Sequence, residues 1–458
     1  MSDYCLSYLD QYDPEGRLHC RCGREHSLQT RQIVLGEGVL ESLPDLLAEH
    51  YGSAAKIWIL SDENTEEAAG RTCKNLLSGF SLTGAVLPAS PQPRTSAELI
   101  RGLSEQAGAG SPDLILAVGG GTISDVAKMV SRALDIPNWC IPTAPSVDAY
   151  SSGTSALKLP YRHKTEQARP AEVIVADLRV LEKAPRVLFL SGIGDLLAKY
   201  LSYLDWRISA QITGEYICEQ TARLCLDSAR RAIKAVATLA RERGEAVRSL
   251  TDAILLSGLA MQALVNSRPA ASAEHTIAHF WELDHGVGNS DLDLHGMLVG
   301  MSSRILLLLY REFYRDSSIW EFDLEDRLER MDAEPGWEQS LGPEVQPFHM
   351  QIREAMESRQ NSPGMYRKRL ENARNQRESI TDLAEDLLDE LERAVGTLAA
   401  VDFPFRLSDY RIDAQRAFVP LRYIRFLRNR YSTFNLIHEL GAEQRVLGLW
   451  DRHLGEFA

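Results

Sequence analysis

The stretch DLILAVGGGTISDVAKMVSRAL, Asp113 to Leu134, constrains the fold more than any other part of the chain. It opens with an unbroken apolar run of strand length, breaks on Gly119, Gly120 and Gly121, and then takes up helical periodicity. A strand apolar on both sides belongs inside a parallel sheet, where helices cover both faces. Three glycines in the turn allow positive φ and let main-chain N–H groups approach a ligand closely. The helix that follows, with Thr122 and Ser124 as expected capping hydroxyls, presents partial positive charge to an anion such as a phosphate. A Gly-rich packing turn is the plainer alternative, because the turn matches neither G-x-G-x-x-G nor G-x-x-x-x-G-K-S/T.

The same alternation runs from about Gln32 to Leu181. KIWILSD (Lys56 to Asp62), LILAVG (Leu114 to Gly119), NWCIPT (Asn138 to Thr143) and EVIVAD (Glu172 to Asp177) read as buried strands. Thr65 to Leu77, Ser96 to Gln106 and Ser124 to Leu134 read as the helices between them. Such βαβ order predicts a Rossmann-like α/β domain with a mainly parallel sheet, spanning residues 1–187. Past Pro185 the pattern turns helical through to Ala458, predicting an all-α domain over 188–458 and an active site in the cleft between the two. SITDLAEDLLDELERAV is typical: Ile380, Leu383, Leu387, Leu388, Leu391 and Val395 share one stripe and the acids take the other face. ESRQNSPGMYRKRLENARNQRES, from Glu357, reads as a loop and an exposed helix.

Charge and cysteines narrow the class. A net charge of −14 with no Lys/Arg stripe argues against nucleic-acid binding. No apolar run reaches membrane-spanning length, and MSDYCLSYLDQYDPEGRLHC lacks a basic n-region and an apolar h-region, so no membrane partner and a cytoplasmic location are expected. Seven scattered cysteines suggest reduced thiols rather than a disulfide framework. HCRCGREH does place His19, Cys20, Cys22 and His26 within eight residues, as a small metal knuckle would. Cys-X-Cys is cramped, and no second cysteine pair follows nearby.

Histidines cluster in the second half. His275, His279, His285 and His295 are four of eleven, and the first two, four apart, share one face of a helix. With a carboxylate they would form a metal site that keeps a position for water or substrate. Asp195, in LSGIGDLLAKYLSYLDW, is the best acid: at the expected start of an apolar helix a charge is costly unless paired or ligating. An aspartate favoured by its own helix dipole is the simpler alternative for that residue, and a core histidine remains the simpler one for His279 and His285. After the strand ending at Thr143, TAPSVDAYSSGTSALK offers hydroxyls and small residues to the glycine crevice. Asp62, closing its strand, stands where an acid accepts from a ribose, or where a turn needs one.

Taken in order, GGGTISDVAK, PTAPSVDAYSSGTSAL, GIGDLLAK with DW downstream, SRPAASAEHTIAHFWE and LHGMLVG resemble the iron-containing alcohol dehydrogenase superfamily, with its dehydroquinate synthase-like architecture. Within it they are most similar to the bacterial type of the sn-glycerol-1-phosphate dehydrogenase family. The resemblance covers roughly Arg31 to Arg311, and CRCGREH also looks like the bacterial members. It implies NAD(H) or NADP(H) against Gly119, Gly120, Gly121, Thr122 and Ile123 and against Thr143, Ala144, Pro145 and Ser146, with Ser152 and Asp62 in contact. It implies one divalent metal, Ni2+, Zn2+ or Fe2+, held by Asp195, His275 and His295. His279 and Asp148, with Asp195, would meet the substrate; His279 joins the catalytic set with Asp195, His275 and His295. The expected reaction is reversible reduction of dihydroxyacetone phosphate, a small phosphorylated triose, to sn-glycerol 1-phosphate by a homodimer. Lys158, Lys164, Arg425, Arg428 and Arg430 are candidate cations for the substrate phosphate. A polyol dehydrogenase, a dehydroquinate-synthase-like cyclase and a non-catalytic cofactor-binding protein are the alternatives. The family's usual glycine is missing from Ala271-Ser272-Ala273, and the chain is longer near Asp316 to Asn361.

Overall fold

A computed structural model of the chain describes residues 3–159, 161–239, 241–284, 294–359 and 362–457; His285 lies outside them. Two compact units emerge. The first comprises Met1–Leu159, His163–Leu196 and Arg223–Ser267, and the second Pro160–Arg162, Leu197–Ala222 and Arg268–Ala458. The helical chain after Pro185 is therefore shared between both units rather than confined to one.

In the first unit, β1 (Arg17–His19) and β2 (Glu25–Ser27) make an antiparallel hairpin. Then come β3 (Gln32–Gly36), β4 (Lys56–Asp62), β5 (Ser81–Leu87), β6 (Leu114–Gly119), β7 (Asn138–Pro142), a two-stranded pair of β8 (Thr154–Leu159) and β9 (Arg162–Gln167), and β10 (Val173–Asp177). Six strands form one sheet in the order β3-β10-β7-β6-β4-β5, parallel throughout. Four of them are the strands expected from the sequence. The other two, β3 and β5, are the sheet edges, and β5 is mostly open to solvent with little apolar signal.

The alternation inside the central strands shows why their sequences are continuously apolar. Leu114, Leu116 and Val118 of β6 join Ile57 and Ile59 of β4 in the core on one face. Ile115 and Ala117 join Trp58 and Leu60 in the core on the other. With both faces covered, a polar residue has nowhere to point. Adjacent β4 and β6 then diverge, β4 leading out to β5 and β6 leading the opposite way to β7 and β10. Their carboxyl ends, Asp62 and Gly119, flank the switch point where open α/β sheets bind ligands.

The second unit is helical. Among the described residues no strand follows β10. The helix His295–Arg315 packs on Arg377–Ala399, which buries Ile380, Leu387, Leu388 and Leu391. On its acidic face Asp389 and Glu392, both exposed, pair with Arg311 at 2.8 and 2.5 Å.

Three local expectations are corrected. Asp195 is not at a helix start: it lies late in Arg186–Leu197, and Ala198 continues in helical geometry into Lys199–Thr213. The favourable-dipole alternative for it is therefore gone, since the positive end of the helix is far away. The whole span Arg186–Thr213 is long and apolar enough to cross a membrane by composition, against expectation, but 89% of its most apolar window is buried inside the protein. Finally, the helix Gly121–Leu134 carries no side-chain cap, and none of the three turn glycines has positive φ.

Close backbone approach is what some glycines provide instead. At Gly192, in Arg186–Leu197, a Cβ would sit 2.0 Å from the Pro145 carbonyl oxygen. Gly192→Ala should cost about 1–3 kcal/mol, the usual penalty of overpacking, read as a lowered unfolding midpoint in denaturant.

Candidate functional site

The glycine turn divides its labour. A Cβ on Gly119 would meet Ile123 at 2.6 Å, and one on Gly121 would meet Val147 at 2.7 Å, so these two are packing glycines. A Cβ on Gly120 would meet nothing within 4 Å. The middle glycine fronts open space at the N-terminus of a fourteen-residue helix, the arrangement that favours an anion. Ile123 is buried in the core, so only its main chain is available to a ligand. Ser124 is buried beside Cys140 and caps nothing. Asp62 caps the short helix after β4: its Oδ1 accepts from the Thr65 amide at 2.8 Å, and Thr65 Oγ1 accepts from the Asp62 amide at 2.9 Å.

Thr143 leaves β7 beside the turn, its N–H donating to the Gly119 carbonyl at 3.2 Å. The loop beyond is fastened from inside by Lys128, which is fully buried. Its ammonium meets Asp125 Oδ1 at 2.7 Å and donates to the Ala149 carbonyl at 2.8 Å, the Thr154 carbonyl at 2.6 Å and Ser152 Oγ at 3.2 Å. Ser152, buried, thus spends its hydroxyl on the framework. Tyr150 donates to the Ala144 carbonyl at 2.7 Å, and burial pushes its phenol well above the ordinary range, keeping the donor protonated.

Asp148 stands at the end of this loop. Its amide donates to Asp195 Oδ2 at 3.1 Å and orients that carboxylate, while its own Oδ2 accepts from Ser257 Oγ at 2.8 Å. Ser257 lies on the helix Arg243–Leu264, whose Gly258 allows the turn to come close: a Cβ there would be 2.1 Å from Ser151 Oγ. Asp195 is 1% exposed.

In the second unit three imidazoles converge. His275 and His279 project from one face of Ala273–Asp284, and His295 is the first residue of the next helix. Ring centroids lie 5.9 Å apart for His275 and His279, and 5.2 Å for His295 with each of them. Two of the three rings have a carboxylate behind them. His275 Nδ1 is 2.9 Å from Glu274 Oε1, and His295 Nδ1 is 2.6 Å from Glu282 Oε1. Both glutamates are buried. A carboxylate on Nδ1 fixes the tautomer with the proton there and leaves the Nε2 lone pair for a metal, the usual support of a metal-ligating histidine. The donor set therefore fits a divalent metal at His275 and His295.

Spacing alone could not rank these histidines, and it missed Glu274 and Glu282. The signal available was a glutamate next to His275 and another one turn beyond His279 in EHTIAHFWE. It also missed Asp205 of the DW pair, fully buried, which accepts from Ser272 Oγ at 2.6 Å and from the Thr433 amide and hydroxyl at 2.9 and 2.7 Å. Through Ser272 it holds the chain that enters the His275 helix. Burial, the largest influence, raises its carboxyl pKa above the ordinary value against these hydrogen bonds.

The chain is similar to several known proteins. Residues 34–185 match a family model described as iron-containing alcohol dehydrogenase. A glycerol-1-phosphate dehydrogenase, NAD(P)+-dependent by name, from Halalkalibacterium halodurans is 31% identical over 302 residues, 64% of this chain and 74% of that protein. Another of the same name, from Hyperthermus butylicus, is 33% identical over 281 residues, 61% of this chain and 78% of that protein. Among solved structures, an archaeal halo-thermophilic alcohol dehydrogenase from a Red Sea brine pool superposes with a TM-score of 0.57 at 14% identity, covering 94% of this chain and all of that one. Sulfoacetaldehyde reductase from Bifidobacterium kashiwanohense, solved with NAD+, gives 0.54 at 14% identity, covering 92% and 97%. At such identities these two bear on the fold alone.

Glu282→Gln tests the carboxylate support directly. Metal affinity, measured by competition with a chelator, should fall about 10–100-fold with little change in unfolding temperature.

Proposed function

The chain belongs to the iron-containing alcohol dehydrogenase superfamily and, within it, to the glycerol-1-phosphate dehydrogenases; from that premise we propose that it interconverts dihydroxyacetone phosphate and sn-glycerol 1-phosphate with NADH or NADPH and one divalent metal. The observation that carries the reading is the pair of carboxylate-backed imidazoles, His275 and His295. Asp195, held by the Asp148 amide, is proposed as the third metal ligand. When bound, the metal would supply a Lewis acid for the ketone oxygen and NAD(P)H the hydride.

The chain's own residues would do the positioning. The Gly120 to Ile123 main chain, at the helix N-terminus, is proposed to hold the cofactor pyrophosphate, with Thr143 to Ser146 beside it. Gly119 and Gly121 keep that turn close-packed. Asp62 spends Oδ1 on its helix cap, and its proposed ribose contact would use the rest of the carboxylate. The Asp148 carboxylate, fixed by Ser257, would orient a substrate hydroxyl. His279, the imidazole that stacks on His295, would pass a proton to the reacting oxygen, work for which an imidazole is suited.

Among the candidate cations for the substrate phosphate, Arg425 is paired with Glu443 at 3.2 Å and Lys164 with Glu166. Lys158 sits half-buried on β8. Arg428 and Arg430 are better supported, since both interact electrostatically with Glu274, the residue behind His275. Burial pulls Arg428 down to about 10, which leaves it cationic at neutral pH. A homodimer in the cytoplasm, without nucleic acid or membrane, completes the proposal.

NADH or NADPH oxidation should depend on dihydroxyacetone phosphate, vanish with a chelator, and return with Ni2+, Zn2+ or Fe2+. Turnover of free dihydroxyacetone but not its phosphate would instead establish a polyol dehydrogenase. Gly120→Ala should fold normally, because its Cβ meets nothing, yet raise KM for the nicotinamide cofactor by about tenfold or more, roughly 1.4 kcal/mol of lost binding. His279→Ala should lower kcat about 10²–10⁴-fold; full turnover at every pH would end its role as a proton relay.

A further inference from the structure

We propose that Cys20, Cys22 and His26 hold a second divalent metal, of the zinc class, as a structural clasp separate from the catalytic metal. This does not depend on the proposed reaction. The three residues sit on the β1–β2 hairpin, and their ligand atoms lie within 4.8 Å of one another. His19, the fourth residue of HCRCGREH, is not among them: its ring is 89% exposed and faces Glu25 at 3.8 Å.

The hairpin is shaped for the purpose. The Cys20 amide donates to the Arg24 carbonyl at 3.0 Å and the Gly23 amide to the Cys20 carbonyl at 3.0 Å, which brings the two cysteines onto one short turn. Gly23 closes it at φ +83°, where a side chain would be strained. The cramped Cys-X-Cys spacing is thereby turned to use, since both thiols belong to a single knuckle. His26 sits across the ladder at Leu18, on the strand returning from the knuckle.

The imidazole is aimed. His26 is 3% exposed, and its Nδ1 lies 3.1 Å from the Ala263 carbonyl. That carbonyl can only accept, so Nδ1 carries the proton and Nε2 is left with its lone pair toward Cys22, whose Sγ is 3.3 Å away. Two ligands at Zn–S and Zn–N bond lengths with a tetrahedral angle are about 3.5 Å apart, so the spacing needs to relax by only a few tenths of an ångström. Two thiolates and an imidazole select zinc over the hard cations. A ligand from outside the hairpin would fill the fourth position.

A metal here would brace the substrate loop. Ala263 lies in the last turn of the helix Arg243–Leu264, and its neighbour Gln262 accepts from the Gln29 and Thr30 amides while donating to the Ser151 carbonyl at 2.7 Å. The knuckle, the strand leaving it and the turn that carries Asp148 thus meet on one helix end.

Metal analysis of the purified protein should give two equivalents per chain, falling to one in Cys20→Ser/Cys22→Ser. With Co2+ substituted, the wild type should show thiolate-to-cobalt charge-transfer absorption in the near ultraviolet, and the double variant should lose it; Asp195, His275 and His295 contain no sulfur and cannot produce that band. His26→Cys should keep the second equivalent with a stronger band, whereas His26→Ala should lose it, which separates ligation from misfolding. A wild type without the band, or a double variant that keeps both equivalents, would overturn the proposal and leave a thiol–imidazole hydrogen bond in its place. The dihydroxyacetone phosphate assay reads the other site independently.

Discussion

The buried ammonium of Lys128 holds together the loops at one end of the first unit's sheet. Removing a charge from water costs several kcal/mol, and the cost is offset here by an ion pair with Asp125 and three further acceptors. Those acceptors come from the chain between Ala149 and Thr154, so one cation joins the helix behind the glycine turn to the loop that carries Asp148. From other sides, Gly192 and Gly258 let two helix backbones press against the same loop, at Pro145 and at Ser151. This loop also presents the Asp148 amide to the carboxylate of Asp195.

The second unit uses negative charge in the same way. Glu274 and Glu282 are buried where a lone carboxylate would be costly, and each places one oxygen, Oε1, against an imidazole Nδ1, while Oε2 of Glu274 has no hydrogen-bond partner among the described residues. Glu274 Oε1 also accepts from the Ser272 amide at 2.6 Å, and Asp205 holds the Ser272 hydroxyl, so the entry to the His275 helix is fixed at two atoms of one residue. Rings held this firmly lose little freedom on taking a metal, which is the physical content of preorganisation. The departure from glycine at Ala271-Ser272-Ala273 fits this picture, because it is the Ser272 side chain that Asp205 uses.

Much of this was legible in the chain. The four central strands follow from continuous apolar runs, because a strand buried on both faces leaves a mark in every residue. The edge strand β5 left almost none: with the pattern of SLTGAVL largely exposed, its membership of the sheet depends on hydrogen bonds to β4 rather than on burial. The glycine turn departs from what its sequence suggests. Neither positive φ nor hydroxyl caps operate there, and what the turn does present is open space in front of Gly120. Asp195 is legible as a buried acid but not its place late in the helix, since Ala198 keeps helical angles between Arg186–Leu197 and Lys199–Thr213 and leaves no local signal to read.

By itself the sequence determined the parallel sheet, the helical second half, and the residue types that chemistry would require, because periodicity and composition are properties of neighbours along the chain. Only the tertiary structure decided which side chains act on which. His275 and His295 differ from His279 through carboxylates seated on their Nδ1 atoms, and Cys20 and Cys22 gain His26 as a neighbour, and lose His19, through the register of one hairpin. Burial is the reason: a charged or polar group removed from water must find its partner in space, and the spacing of residues along the chain does not say which partner that will be.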